Sequence, residues 1–129
     1  MNKKLLAPEL LRLIPSQFSW IDQQLVRGGH LRDCDPSAWA LYLFLATVSD
    51  SQGLSYYSDA SASRLLGMDL LQLSSARQQL VKARLLAYQK PLHQLLALPA
   101  AQALALSGTR SGEVRSVGEL LRQIAGGAA

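Results

Sequence analysis

The stretch Ser58–Tyr88, SDASASRLLGMDLLQLSSARQQLVKARLLAY, decides the fold. Ser58 or Asp59 is placed to cap a short helix, ASASRLLGM, which Gly67 stops because glycine accepts the left-handed backbone that follows a helix. Asp69 caps a second, longer helix. Its apolar spacing Leu73, Ala76, Leu80, with Leu85 just beyond, marks one buried face. Two short helices joined by a tight glycine-containing corner then run, through the apolar pair Leu85–Leu86, into extended chain.

Working outward, Leu54–Tyr57 reads as a short strand, since aromatic residues favour the pleated state. Upstream, Asp35–Pro36 is a strong helix start, an N-cap followed by proline at the first helical position. The helix that follows, SAWALYLFLATVSD, is apolar nearly all round and belongs in the middle of a core. It stops before the turn residues Ser51–Gln52–Gly53. Downstream, LLAYQK and LHQLLALP are apolar runs divided at Lys90–Pro91, a hairpin with proline at its tip. Further out, Ser19 and Asp22 stand in capping-box spacing for a short helix burying Ile21 and Leu25 and ended by Gly28–Gly29. PAAQALAL reads as a further helix, SGTRSGE as a polar linker, and Ser116–Glu119 as the cap of a last helix with the stripe Val117, Leu120, Leu121 and Ile124. Trp20, Trp39, Tyr42 and Phe44 read as core.

Composition agrees. The chain has 129 residues, 49% of them apolar and 17% charged, which suits one globular unit and excludes disorder over most of its length. Leucine occurs 27 times and alanine 17 times, against 8 valines and isoleucines together, so the fold is mainly α. The longest apolar run, Ala38–Ala46, is far short of the ~20 residues a membrane span needs. Pro8, Glu9 and Arg12 interrupt what would otherwise resemble a signal sequence. With Cys34 as the single cysteine, these features point to a cytoplasmic protein without disulfides or membrane contact. Net charge is +4, and residues 59–93 alone carry +3 of it.

The order helix, strand, short helix, turn, longer helix, hairpin is that of a winged helix-turn-helix domain. Ser58–Tyr88 resembles the family's core. Leu66–Gly67–Met68–Asp69 looks like its turn, Leu73, Ala76 and Leu80 match its packing positions, and Leu85–Leu86 match the pair that opens its hairpin wing. Arg84 departs from the pattern, since many members place glycine where the helix ends, which leaves that end open. The resemblance covers residues 36–98, with an N-terminal helical extension over 1–35 and a C-terminal helix and flexible linker over 99–129. More narrowly, the chain resembles small helix-turn-helix proteins carried near bacterial mobile elements and N-terminal domains of replication-initiation proteins of the DnaD type.

The resemblance implies double-stranded DNA as partner, in transcription regulation or as an accessory to replication or transposition. Opposite the buried face, the second helix carries Leu71, Ser74, Ser75, Gln78 and Lys82. Glutamine pairs with adenine, serine meets bases or phosphates, and lysine meets phosphate or guanine. Arg77, at the edge of that face, and Arg64 on the preceding helix are placed for backbone phosphates, and Lys90 at the hairpin tip for a groove. The same fold also serves as a protein-interaction module docking a replication or transposition protein. Apolar stripes at both ends of the chain suggest a homodimer. No catalytic, cofactor-binding or metal-ligating set is evident. His30 and Cys34 lie four apart, but a metal site needs three or four converging ligands. Leu80→Ala is expected to be costly, and Gln79→Ala, off the buried face, nearly neutral.

Overall fold

The computed structural model describes residues 3–110. In chain order it contains a one-turn helix α1 (Gln24–Arg27), α2 (Pro36–Val48), strand β1 (Leu54–Tyr56), α3 (Asp59–Leu66), α4 (Leu70–Lys82), strands β2 (Leu86–Gln89) and β3 (Leu92–Leu95), and α5 (Pro99–Arg110). The fold is mainly α with a small antiparallel sheet of strand order β1-β3-β2. The β2–β3 hairpin turns at Lys90–Pro91, whose peptide is cis, and β1 adds to its β3 edge with Ser55 opposite His93.

Local chemistry sets the helix boundaries. Asp35 accepts from the Ala38 N–H at 3.2 Å, opening α2 with Pro36 in its first turn. Ser58 accepts from the Ser61 N–H at 3.1 Å, opening α3. Gly67, at φ +65°, ends α3 in the left-handed conformation. At α4 the Asp69 carboxylate accepts from the Gln72 N–H at 2.8 Å while the Gln72 side chain accepts from the Asp69 N–H, a reciprocal capping box. At the end of α4, Arg84 itself adopts φ +61°. Its backbone takes the glycine-type conformation, so α4 ends on schedule without the glycine.

The core lies where α2 crosses α4, with the sheet closing one side. Leu41, Leu45, Leu73, Leu80, Leu85 and Leu86 are its largest fully buried side chains. Leu25 and Leu31 join this cluster, so the packed unit reaches back beyond Asp35. Residues 3–23 hold only a single 3-10 turn, Pro8–Leu10.

Four expectations are corrected. Ser19 does not cap a helix; its hydroxyl donates to the Thr47 carbonyl at 3.5 Å. Asp22 instead accepts from the Gln24 N–H at 2.8 Å, two residues on, which starts α1 later and leaves Ile21 exposed. Trp20 and Trp39 are not core: Trp20 is 80% exposed and Trp39 46%, its indole N–H donating to the Leu31 carbonyl. Leu43 on α2 is also exposed, because only the side of that helix bearing Ala38, Leu41 and Leu45 meets α4. Tyr42 and Phe44 do pack against the core, Phe44 edge-on to Tyr57 at 5.1 Å. Finally, α5 runs through Ser107–Arg110, the first residues of the stretch whose composition reads as a linker. An alanine-rich helix already nucleated at Pro99 propagates past one glycine at a cost of only ~1 kcal/mol. The C-terminal stripe from Val117 to Ile124 lies outside the described residues.

Candidate nucleic-acid interface

α4 is fixed on three sides: the Gly67 corner holds its start, α2 covers its inner face, and the strand that follows Leu85 holds its end. At 100° per residue, Leu71, Ser75, Gln78 and Lys82 fall on one stripe diametrically away from Leu73, Ala76 and Leu80. All four stripe residues are exposed, and all three inner ones are fully buried. Ser74 sits on the shoulder and is half-buried. Ser75 Oγ lies 3.2 Å from the Gln79 side-chain nitrogen and accepts from it, which orients the serine without covering it. Arg64 in the last turn of α3, Lys82 in the last turn of α4, and Lys90 at the hairpin tip are exposed.

Arg77 is the exception among the expected contacts. It is only 8% exposed and points inward. Its guanidinium forms an ion pair with Asp59 at the start of α3. Its Nε–H donates to His93 Nε2 at 3.2 Å, and its central carbon lies 4.2 Å from the centroid of the Tyr88 ring. One side chain of α4 thereby joins α3, β2 and β3. A phosphate contact through Arg77 would require giving up this set of partners, so the expectation of a DNA-facing Arg77 is corrected. The reason is helical phase: Arg77 is four residues after Leu73 and three before Leu80, at the edge of the buried arc.

His93 is 3% exposed and faces this cluster. Its Nε2 is an acceptor, so the ring is neutral with the proton on Nδ1. Burial depresses its pKa below the ordinary 6.5, and the Arg77 charge adds to the effect, with Asp59 and the nearby Pro91 carbonyl opposing. Tyr88 stacks on it at 4.6 Å between centroids. Nδ1 of His93 and Oγ of its strand partner Ser55 are both buried without a hydrogen-bond partner among the described residues.

Gln79, on the flank of α4, ties the helix to α2. Its amide oxygen accepts from the Asp35 N–H at 2.7 Å and its amide nitrogen donates to the Asp35 carboxylate at 2.9 Å. Together with the Ser37 and Ala38 donors these bonds hold the Asp35 carboxyl below its ordinary pKa, Ser37 contributing most and Gln79 next. Sequence reasoning missed this link because Gln79 and Asp35 are far apart in the chain and neither is apolar.

The cluster His30, Asp33, Cys34 and Asp35 does not converge: among the described residues no three His, Cys, Asp or Glu side chains are grouped to hold a metal. Partial burial pushes the Cys34 thiol up from its ordinary pKa, with Asp33 and Asp35 adding to the shift. The thiol therefore stays protonated at neutral pH. Among the described residues no helix is long and apolar enough to cross a membrane.

Comparison with protein-family models, with curated proteins and with solved structures finds no match.

Proposed function

We propose that the chain is a winged helix-turn-helix protein that binds double-stranded DNA, with α4 as the recognition helix and the β2–β3 hairpin as the wing. The observation that carries the reading is the exposed stripe of Ser75, Gln78 and Lys82 on the helix that follows the Gly67 corner. The order α2, β1, α3, α4, β2, β3 with strand order β1-β3-β2 supports the fold name. Charge supports the partner. Arg77 and Asp59 neutralise each other internally, and the charged residues left between 59 and 93 are exposed: Arg64, Lys82, Arg84 and Lys90 against Asp69 alone. The basic excess of this segment therefore survives the loss of Arg77 from the surface.

Gln78 is suited to pair with adenine and Leu71, heading the stripe, to pack on a thymine methyl, whereas the stripe holds no arginine for guanine. Any sequence preference then leans to A·T pairs. The role that follows is transcriptional control, or an accessory part in replication or transposition of a mobile element.

One observation favours a second reading. Leu65, Leu70 and Leu71 cluster around the Gly67 corner and are 67%, 59% and 84% exposed. A protein partner from a replication or transposition assembly would cover them. Anisotropy titration against mixed duplexes at several salt concentrations separates the two. DNA binding through α4 requires salt-sensitive affinity. Lys82→Ala should flatten the log–log salt slope by about 0.9, and Gln78→Ala should cost roughly 1–3 kcal/mol at one base position. Wild-type-like binding by both variants, or no binding at low salt, refutes the assignment.

A further inference from the structure

The N-terminal arm, residues 3–20, is apolar, and among the described residues its large side chains from Leu5 to Ile14 are left uncovered. From Leu5 to Ile14 every large apolar side chain is more than half exposed, and Phe18 and Trp20 are 70% and 80% exposed. The arm meets its own body only near its end. There Ser19 bonds to Thr47, and Phe18 and Ile21 line a groove of about 490 Å³ against Leu43 and Ala46 of α2. On the same side of α2, Leu43 of this groove and Trp39, one helical turn before it, are both exposed.

We propose that the arm of one protomer lies along the exposed α2 face of a second copy of the chain, in a reciprocal two-fold dimer. Three observations select that occupant. First, charge is complementary. The arm carries Lys3, Lys4 and Arg12 against Glu9, while the chain from Asp33 to Ser63 carries only acidic charges. Of these, Asp33, Asp35 and Asp50 are exposed and flank the two ends of α2. Second, the areas suit a dimer. The arm's exposed apolar side chains amount to roughly 700 Å², close to the ~800 Å² that each partner of a stable interface buries. A reciprocal exchange counts that surface twice. Third, the reach is sufficient: 18 residues of extended chain span up to about 60 Å. The arrangement is isologous, each arm contacting the other protomer's α2, and it closes without leaving a free arm or a free face. Association is its readout, so its failure leaves the DNA-binding proposal untouched.

Sedimentation equilibrium on the full chain and two variants tests it. One variant spoils the arm, Leu10→Asp with Ile14→Asp; the other spoils the face, Leu43→Asp. All three positions are exposed, so circular dichroism should show both variants folded. The full chain is expected to be dimeric at micromolar concentration and each variant monomeric. An equimolar mixture of the two variants keeps one sound arm and one sound face, and is expected to regain association, weaker than the parent. A monomeric full chain overturns the proposal. A dimer indifferent to both variants overturns it in favour of another surface. A face variant that stays dimeric while the arm variant is monomeric overturns it in favour of arm packing on arm, and two monomeric variants that fail to complement each other overturn the arm-to-face pairing.

Discussion

Replacing Arg77 by alanine separates a structural arginine from a DNA-contacting one. The guanidinium leaves three partners. His93 Nε2 loses its donor inside a buried site, which costs ~1–3 kcal/mol. The contact with the Tyr88 ring at 4.2 Å is worth ~1 kcal/mol. The ion pair with Asp59 adds at most ~1 kcal/mol, because that carboxylate is 45% exposed and rehydrates when left alone. About 3 kcal/mol in all is a large share of the stability of a domain this size. At 4–8 °C per kcal/mol for a domain of 60–100 residues, the melting temperature should fall by roughly 12–24 °C. Arg77→Met keeps the aliphatic bulk and should recover part of the loss. Urea unfolding measures the stability, and anisotropy below the melting temperature measures the salt slope. Arg77→Ala should lower the first and leave the second unchanged, while Lys82→Ala should do the reverse. An Arg77→Ala protein of normal stability whose salt slope falls by about one phosphate contact would show that Arg77 swings out to DNA, and would refute the reasoning.

Three other outcomes follow from the same geometry. Leu80→Ala, at a site with no exposure, should cost about 2–5 kcal/mol in urea unfolding, and Gln79→Ala about 1–2 kcal/mol rather than nothing, because it removes both bonds to the Asp35 cap. His93 binds its proton more weakly folded than unfolded, so its contribution is complete above pH 6.5 and is lost as pH falls through that value, at no more than about 1.4 kcal/mol per pH unit; stability that is flat between pH 7 and 5, or rises on acidification, contradicts the buried neutral imidazole. Arg84→Gly relieves a left-handed non-glycine residue and should raise stability by up to ~1 kcal/mol, read as a higher urea midpoint with unchanged slope; a loss would mean that the Arg84 side chain holds the helix end.

What could be read in the sequence was what local chemistry determines. Asp35–Pro36, Ser58, Gly67 and Asp69 each act within three residues of themselves, and the helix starts and stops they mark stand where they are. The phase of α4 was equally legible, because Leu73, Ala76 and Leu80 recur at the helical period. The errors arose where a residue's fate depends on another element. Helical phase puts Arg77 at the edge between the buried and the outward face, a position that the sequence reads as reaching a backbone phosphate and that the structure turns inward. Its burial depends on Asp59 and His93, which precede and follow it by 18 and 16 residues. Trp20 failed in the opposite sense. Its aromatic character suggests core, but the helical spacing of Leu6, Leu10, Ile14 and Phe18 upstream is broken by Pro8 and Pro15, so no α-helix forms there to press Trp20 onto the body.

Under the proposed DNA-binding function, the Arg77 cluster matters even though it leaves the surface. A recognition helix reads bases only if its outward stripe is held at one rotation and one tilt. Leucines packed on α2 fix the depth of α4, but an apolar contact is non-directional and tolerates rotation about the helix axis. Directional bonds do not. Arg77 is bound to Asp59 on α3 and to His93 on β3, and its neighbour two residues on, Gln79, is bound to the start of α2. These anchors leave α4 on different flanks, so turning Gln78 away from its heading stretches at least one of them. The same anchors join the hairpin to the helix, so Lys90 and Lys82 are presented as parts of one body. If α4 reads DNA as proposed, a change that only loosens this cluster, such as protonation of His93, should broaden base preference at Gln78 before it weakens the phosphate-driven affinity assigned to Lys82. Mildly acidic titrations against matched and mismatched duplexes should show discrimination narrowing while the salt slope holds; parallel loss of both would mean that the cluster supports the fold alone.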